Sequence, residues 1–546
     1  MNRKILFTFC GSLLFAALCG CMAQTNEPVE TVTIDPDIEM IDIDTETDDF
    51  TYYDLDVQEE IQSQIDAFKS ETHTMEDPLL IFDPYGTNTT SLYIWFEEEE
   101  ASVLSYTIQC EGYEDFSRTL YSGSEDNIST AHEHQLIGLV PGETNTITLS
   151  AANSNGTLLE QVEFEVEAPQ LRSGYPTQIE KTDGESDQSL GNGLYMTFGL
   201  NYSYDGYSFL IDNDGTVRGE LPLDGDMIEN VMFYNDTMFY SVNLSKAVRV
   251  DRLGKVIAVY EFPEYELHHD YALNDDGEII ALATEYAKES VEDIIISIDL
   301  ESGDVDKIID FDEVMGDYKA LTQPYSADSL WGSQDWDWLH FNSIQLVNED
   351  EMILSSRETS TIMKFDDIYD DITIDYFIGP ENVWADTAYS QYLLTKDGNF
   401  TNSAGQHNVV YETDDSLEEE QYYLYFYNNN FWSYESRIES ISGSEGNSTS
   451  FQDDGNSISY YTRYLVDENE CTYQLFDSLS VPYSSIVSSV QWYGDELIVN
   501  SGVRTEFYVY DTDGQLLASY AYNDTDESIF LGYRIYKYSF NDFWFA

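Results

Sequence analysis

Positive charge is scarce in this chain. Lysine and arginine together number 22 against 105 aspartates and glutamates, a formal net charge of −83 over 546 residues. Such a field repels phosphate backbones and excludes nucleic acid as a partner. It also disfavours acidic ligands at long range, although screening over about 8–10 Å lets a local cationic pocket act on its own. The acidity itself reads as solubility in the source environment. Cysteine is nearly as scarce: of five, Cys10, Cys19 and Cys21 fall at the N-terminus, leaving Cys110 and Cys471 in separate regions. A disulfide framework is therefore excluded, and both are expected as buried free thiols. Beyond the N-terminus no apolar run reaches membrane-spanning length. Histidine is rare too, with seven in all, and this rarity makes its distribution informative.

What is present begins with a leader. Arg3 and Lys4 precede an apolar stretch from Ile5 to Leu18, too short to cross a bilayer comfortably. It ends in Leu18-Cys19-Gly20-Cys21, which resembles a bacterial lipobox with Cys21 as the first mature residue. The resemblance implies a lipoprotein signal peptide over residues 1–20 and a diacylglycerol on Cys21. The protein is then exported and lipid-anchored to the outer face of the bacterial cytoplasmic membrane.

Residues 21–75 read as an acidic tether followed by a short helix, Asp54 to Ser70, with apolar Leu55, Ile61, Ile65 and Phe68. Over 76–170 the pattern changes to strands such as Ser91–Phe96, Val103–Ile108 and Thr146–Ser150, separated by polar turns. This is expected to be a β-sandwich domain serving as a scaffold. From about 190 a strand recurrently ends in an acidic turn with glycine, as in Asp212-Asn213-Asp214-Gly215, Asp251-Arg252-Leu253-Gly254 and Asp511-Thr512-Asp513-Gly514. Glycine there supplies the positive φ of a tight hairpin. Two hairpins per unit, repeated every 35 to 75 residues, is the signature of four-stranded propeller blades. The fold class is thus all-β, an N-terminal β-sandwich followed by a roughly six-bladed β-propeller over 171–546. The blades fall near 193–224, 228–262, 268–311, 340–378, 407–478 and 486–522, with 531–539 available to close the ring.

Four of the seven histidines stand at the starts of three successive blades: His268-His269-Asp270, Asp337-Trp338-Leu339-His340-Phe341-Asn342-Ser343-Ile344 and Gly405-Gln406-His407. Innermost blade strands line a central channel, so these side chains are expected to converge at one mouth. Ser355-Ser356-Arg357 closes the hairpin begun at His340 and adds a cation suited to an anionic group. An isolated histidine at a strand start is ordinarily structural, and three histidines could bind zinc. Short ligand spacing is missing and the arginine disfavours a cation, so no metal is expected. Trp336, Trp338 and Trp384 are open to either role, flanking an aromatic substrate or packing blades.

Taken together with Ile378-Gly379-Pro380, these phrases resemble the bacterial arylsulfate sulfotransferases, exported enzymes independent of the sulfonucleotide PAPS. The resemblance implies transfer of a sulfuryl group from an aryl sulfate donor to a phenolic acceptor through a covalent sulfohistidine, with no cofactor. It makes His407 the sulfated residue, and Arg357 and His340 the residues that bind sulfuryl oxygens and assist the phenol. Asn342 becomes a polar neighbour that contacts substrate, and His268 or His269 the remaining histidine, with spacing unable to choose between them. A cysteine pair beside the site in some members has no counterpart here. The alternatives are a non-catalytic cell-surface propeller that binds ligands, and an aryl sulfate hydrolase using the same site. A homodimer and substrate gating are both open as roles for the sandwich.

Overall fold

A computed structural model describes residues 29–43, 52–200, 206–225, 228–327, 329–330, 334–522 and 532–546. The expected lipidation residue, Cys21, lies outside the described residues. The acidic segment after it is not only a tether. Val32–Thr33 pairs in parallel with Val162 and Glu163, and Ile38–Glu39 pairs in parallel with Leu80 and Ile81. Acidic side chains do not prevent this, because edge pairing uses main-chain hydrogen bonds and leaves the carboxylates in water.

The expected helix is Leu55–Phe68, capped by the Asp54 carboxylate, which accepts from the Asp56 and Val57 amides. Its buried residues Gln58, Ile61 and Ile65 follow helical spacing. Gln58 Nε2 donates to the Tyr52 and Tyr85 carbonyls, and its Oε1 accepts from Val256 N at 2.9 Å. The helix therefore joins the sandwich to an outer propeller strand.

In the sandwich, one element departs from expectation. Ser91–Phe96 and Val103–Ile108 are halves of one 18-residue strand, Leu92–Gln109. Its first half pairs with Leu79–Phe82 and Ser129–Leu136, its second with Phe116–Thr119 and Thr144–Ala152. Glu97–Glu100 looked like a turn because it is acidic, but it holds no glycine, proline or asparagine. It continues in extended form, with a register shift between Glu97 and Ser102.

Six blades follow, each a four-stranded antiparallel unit. The Asp-Gly turns lie between the third and fourth strands. Asp212 Oδ1 accepts from Asp214 N and Thr216 N, and Asp251 and Asp511 repeat the same pair of contacts. Two blades gain a fifth outer strand: Thr395–Asp397 on the fifth blade and Glu180–Asp183 on the sixth. The C-terminal strand Gly532–Tyr538 pairs with Leu194–Leu200 and supplies the innermost strand of the first blade. The ring is thus closed at its inner radius by the end of the propeller sequence and at its outer radius by the beginning.

The sandwich and the first two blades share one apolar core, in which Leu92, Ile94, Phe116 and Leu136 pack with Met196, Met238, Val248 and Trp544. Arg218 binds Asp212 at 2.6 Å and donates across the seam to the Gly138 and Glu114 carbonyls. Both remaining cysteines are unpaired, but neither is fully buried: Cys110 is half-buried and Cys471 exposed. Cys471 occupies a left-handed turn position, φ +52°, between two strands of the fifth blade, where the chain is held at the surface.

Candidate active site

Three innermost strands, Tyr265–Leu273, Phe341–Leu346 and His407–Glu412, stand side by side. Each is irregular near its start. Register shifts fall between Leu267 and Tyr271, Phe341 and Ser343, and His407 and Val410. His269, His340 and Asn408 have φ of +62°, +50° and +54°, a left-handed conformation that costs a residue bearing a Cβ about 1–3 kcal/mol and gathers at functional sites. These bulges break strict alternation and allow neighbouring side chains to reach one pocket.

His407 is buried. Its Nδ1 lies 2.9 Å from the Gly405 carbonyl and 2.8 Å from Asn429 Oδ1. The Asn429 amide nitrogen donates to the Ser484 and Val487 carbonyls, which fixes its oxygen towards the ring. Both neighbours of Nδ1 are acceptors, so Nδ1 carries the proton and Nε2 keeps a bare lone pair. Burial, helped by Arg357, His340 and His269, holds the His407 pKa well below the ordinary imidazole value.

His340 is the opposite case. Its Nδ1 is 2.5 Å from Asp337 Oδ2, and Glu292 Oε2 lies 2.7 Å from the same nitrogen. Burial and the nearby Arg357 would lower its pKa, but Asp337 and Glu292 carry it up to about 9. Glu292 is itself held well below the usual carboxylate range: burial pushes it up, and His340, His269 and His268 overcome that push. Arg357 completes the group, with Nη2 3.4 Å from Asp337 Oδ2 and 3.3 Å from the Tyr325 hydroxyl. The single Tyr325 hydroxyl proton is shared between Asp337 Oδ2 at 3.1 Å and Glu358 Oε2 at 3.0 Å, and Glu358 accepts from the Glu435 and Ser436 amides.

The structure separates the adjacent histidines. The His269 ring sits 4.8 Å from His340, stacks on Tyr533 at 5.4 Å and places Nε2 3.3 Å from Glu292 Oε2. His268 lies behind it, with its rings' centroids 5.1 Å apart, and neither of its nitrogens has a hydrogen-bond partner. Burial takes His268 down to about 3 and lowers His269 as well, so both are neutral. Asn342 is fully buried: its Nδ2 donates to the Gln406 carbonyl and its Oδ1 has no hydrogen-bond partner. The Arg534 guanidinium donates to the Asn342 carbonyl and pairs with Asp270 at 2.8 Å. Of the three tryptophans, Trp338 and Trp384 are packing residues, fully buried with indole N–H groups bonded to Asp293 and Thr361. Trp336 is half-buried and bonded to Thr322.

Every chemical residue expected from the sequence except Cys21 thus falls within one cluster. Asp337, Glu292, Tyr325, Glu358, Asn429 and Tyr533 were not foreseen as site residues. Asp337 lay in the same phrase as His340 and Asn429 in a run of three asparagines, whereas Glu292 has no sequence signal. Two overlapping groups, His268-His269-Glu292 and Glu292-Asp337-His340, bring ligand-type atoms within 4.8 Å of one another. A tetrahedral ion bound at about 2.1 Å would hold its donors ~3.4 Å apart. The 2.5 and 2.7 Å separations at His340 Nδ1 are those of an ion-pair network, and Glu292 Oε2, common to both groups, belongs to it.

Residues 180–537 match the arylsulfotransferase (ASST) family, and residues 79–169 match the arylsulfotransferase Ig-like domain. No curated protein matches the chain. Among solved structures, a putative 6-phosphogluconolactonase from Bacteroides fragilis is 10% identical over 80% of this chain and 98% of that one, with a TM-score of 0.33. BamB from Moraxella catarrhalis is 11% identical over 63% and 90%, with a TM-score of 0.29. The C-terminal WD40 domain of Sif2 is 11% identical over 62% and 73%, with a TM-score of 0.28.

Proposed function

Because this chain belongs to the arylsulfotransferase family, we propose that it carries a sulfuryl group from an aryl sulfate to a phenol in two steps, through a sulfated His407. The observation that carries this reading is the bare Nε2 of His407, set by the two acceptors at Nδ1. A neutral buried imidazole with one free lone pair is a competent nucleophile and splits one hard transfer into two easier ones.

The remaining groups supply what sulfuryl transfer needs, namely positioning and stabilisation of the equatorial oxygens. Arg357 offers its fork of donors to those oxygens. His269 and the buried Asn342 complete the polar wall. His340 donates a proton to the departing phenol oxygen and takes one from the incoming phenol, work typically worth 10²–10⁴-fold. No nucleotide takes part, so the reaction is independent of PAPS.

His407→Ala should abolish transfer while leaving the melting transition in place. Full turnover by a folded His407→Ala protein would end the assignment. Intact-mass analysis after donor alone should show one sulfuryl group on wild-type protein and none on the variant. We further propose that Cys21 is acylated and tethers the exported enzyme to the membrane surface, where two or more chains give stable anchoring. Cys21→Ser should then move the protein from the membrane to the soluble fraction.

A further inference from the structure

We propose that Asp337 and Glu292 are positioning residues that maintain His340 as a proton donor to the departing phenol oxygen, so that the enzyme uses aryl sulfates of weakly acidic phenols as well as activated ones. The inference rests on the sulfuryl-transfer reading above. The two carboxylates act differently. Asp337 Oδ2 receives the Nδ1–H of His340 at 2.5 Å, whereas Glu292 Oε2, 2.7 Å from the same nitrogen, makes no aligned hydrogen bond. Asp337 therefore sets the orientation of the ring, and Glu292 adds negative charge beside it. With Nδ1 taken, Nε2 is the nitrogen left for substrate.

The groups facing His340 come from several elements of the ring. Asp337 belongs to its own loop. Glu292 precedes the third strand of the neighbouring blade, Ile294–Asp299, and His268 and His269 lie on that blade's innermost strand. Arg357 and, through Tyr325, Glu358 lie beyond Asp337. Tyr533 of the closing strand stacks behind His269. Arg357 and burial oppose the cationic ring, and the two carboxylates outweigh them.

In the first transfer the lone pair of His407 Nε2 forms the N–S bond. The S–O bond to the aryl group breaks, its electron pair stays on the phenol oxygen, and that oxygen takes the proton from His340 Nε2. In the second, the acceptor phenol returns a proton to the neutral His340 as its oxygen attacks sulfur, and the N–S pair reverts to His407. The benefit of the acid depends on the leaving group. A nitrophenolate departs unaided, whereas the anion of phenol, whose pKa is about 10 like that of tyrosine, gains most from protonation.

The test is phenol release in the first turnover from 4-nitrophenyl sulfate and from unsubstituted phenyl sulfate, by the full chain and by Asp337→Asn and Glu292→Gln. Asp337→Asn should lose about 100-fold or more on phenyl sulfate and less than ~10-fold on 4-nitrophenyl sulfate, within the range of general acid catalysis. Glu292→Gln should shift the ratio in the same direction by less. A raised histidine pKa means that the acid is present below about 9 and lost as pH rises through it. The basic limb of the wild-type profile should therefore sit near 9 and move to lower pH in both variants. Equal losses on the two donors with an unmoved limb would overturn the proposal and leave the carboxylates a structural role. If Asp337→Asn does not fold, the donor ratio and limb of Glu292→Gln decide alone. Failure of wild-type protein to transfer from either donor, or to become sulfated on His407, would instead remove the reading beneath it.

Discussion

His407 and Asn429 are the smallest unit on which the proposed chemistry turns. The amide oxygen of Asn429 fixes the tautomer of the ring, and its nitrogen is itself fixed by two carbonyls of the segment leading into the next blade. Asn429→Ala should slow the first transfer by roughly 10–100-fold, as loss of an orienting partner commonly does. The Gly405 carbonyl continues to accept from Nδ1 and keeps the loss from being complete. ¹⁵N resonances of the ring should show a growing Nε2–H population in the variant. An unchanged rate with the Nδ1–H tautomer retained would show that the backbone carbonyl suffices. His340, Arg357 and His407 were readable in the sequence because rare residue types stood in distinctive phrases. Asn429 and Glu292 were not, because asparagine and glutamate are common in this chain and their importance comes only from the groups they face.

Among the elements, the bulged starts of the inner strands explain why His268 and His269 could not be told apart in the sequence. Alternation assigns adjacent strand residues to opposite faces, but the left-handed φ of His269 suspends that rule. The long strand Leu92–Gln109 shows the converse error, in which charge was taken for a turn. The closing strand was legible as a nine-residue remnant after the last blade, over 531–539, but its contribution to the site was not. It places Tyr533 against His269 and buries Arg534 beside Asp270. Arg534→Ala would leave the Asp270 carboxylate buried without its cation, a change that typically costs about 3–5 kcal/mol. Chemical denaturation should show a lower midpoint and an unfolding free energy reduced by that amount, and Asp270→Asn in the same chain should recover part of the loss. A midpoint unchanged by Arg534→Ala would mean that the closing strand is held by its ladder and apolar contacts alone.

For the molecule as a whole, composition and turn periodicity were enough to indicate a sandwich before a six-bladed ring, since both rest on local signals. The core common to the two was not legible, because it joins residues such as Leu92, Met238 and Trp544 that are distant in sequence. The net charge of −83 also concealed the character of the site, where two carboxylates raise a histidine pKa and the proposed function gives an arginine to the substrate. The two-radius closure of the ring has a consequence in time. The pocket includes Tyr533 and Arg534 from the last blade strand to be made, so the candidate site of a nascent chain is unfinished while its earlier blades assemble. On the proposed function, activity would therefore wait until synthesis has passed the closing strand, and clipping that strand from the mature protein would take away Tyr533 and Arg534 without touching His268, His269, His340 or His407.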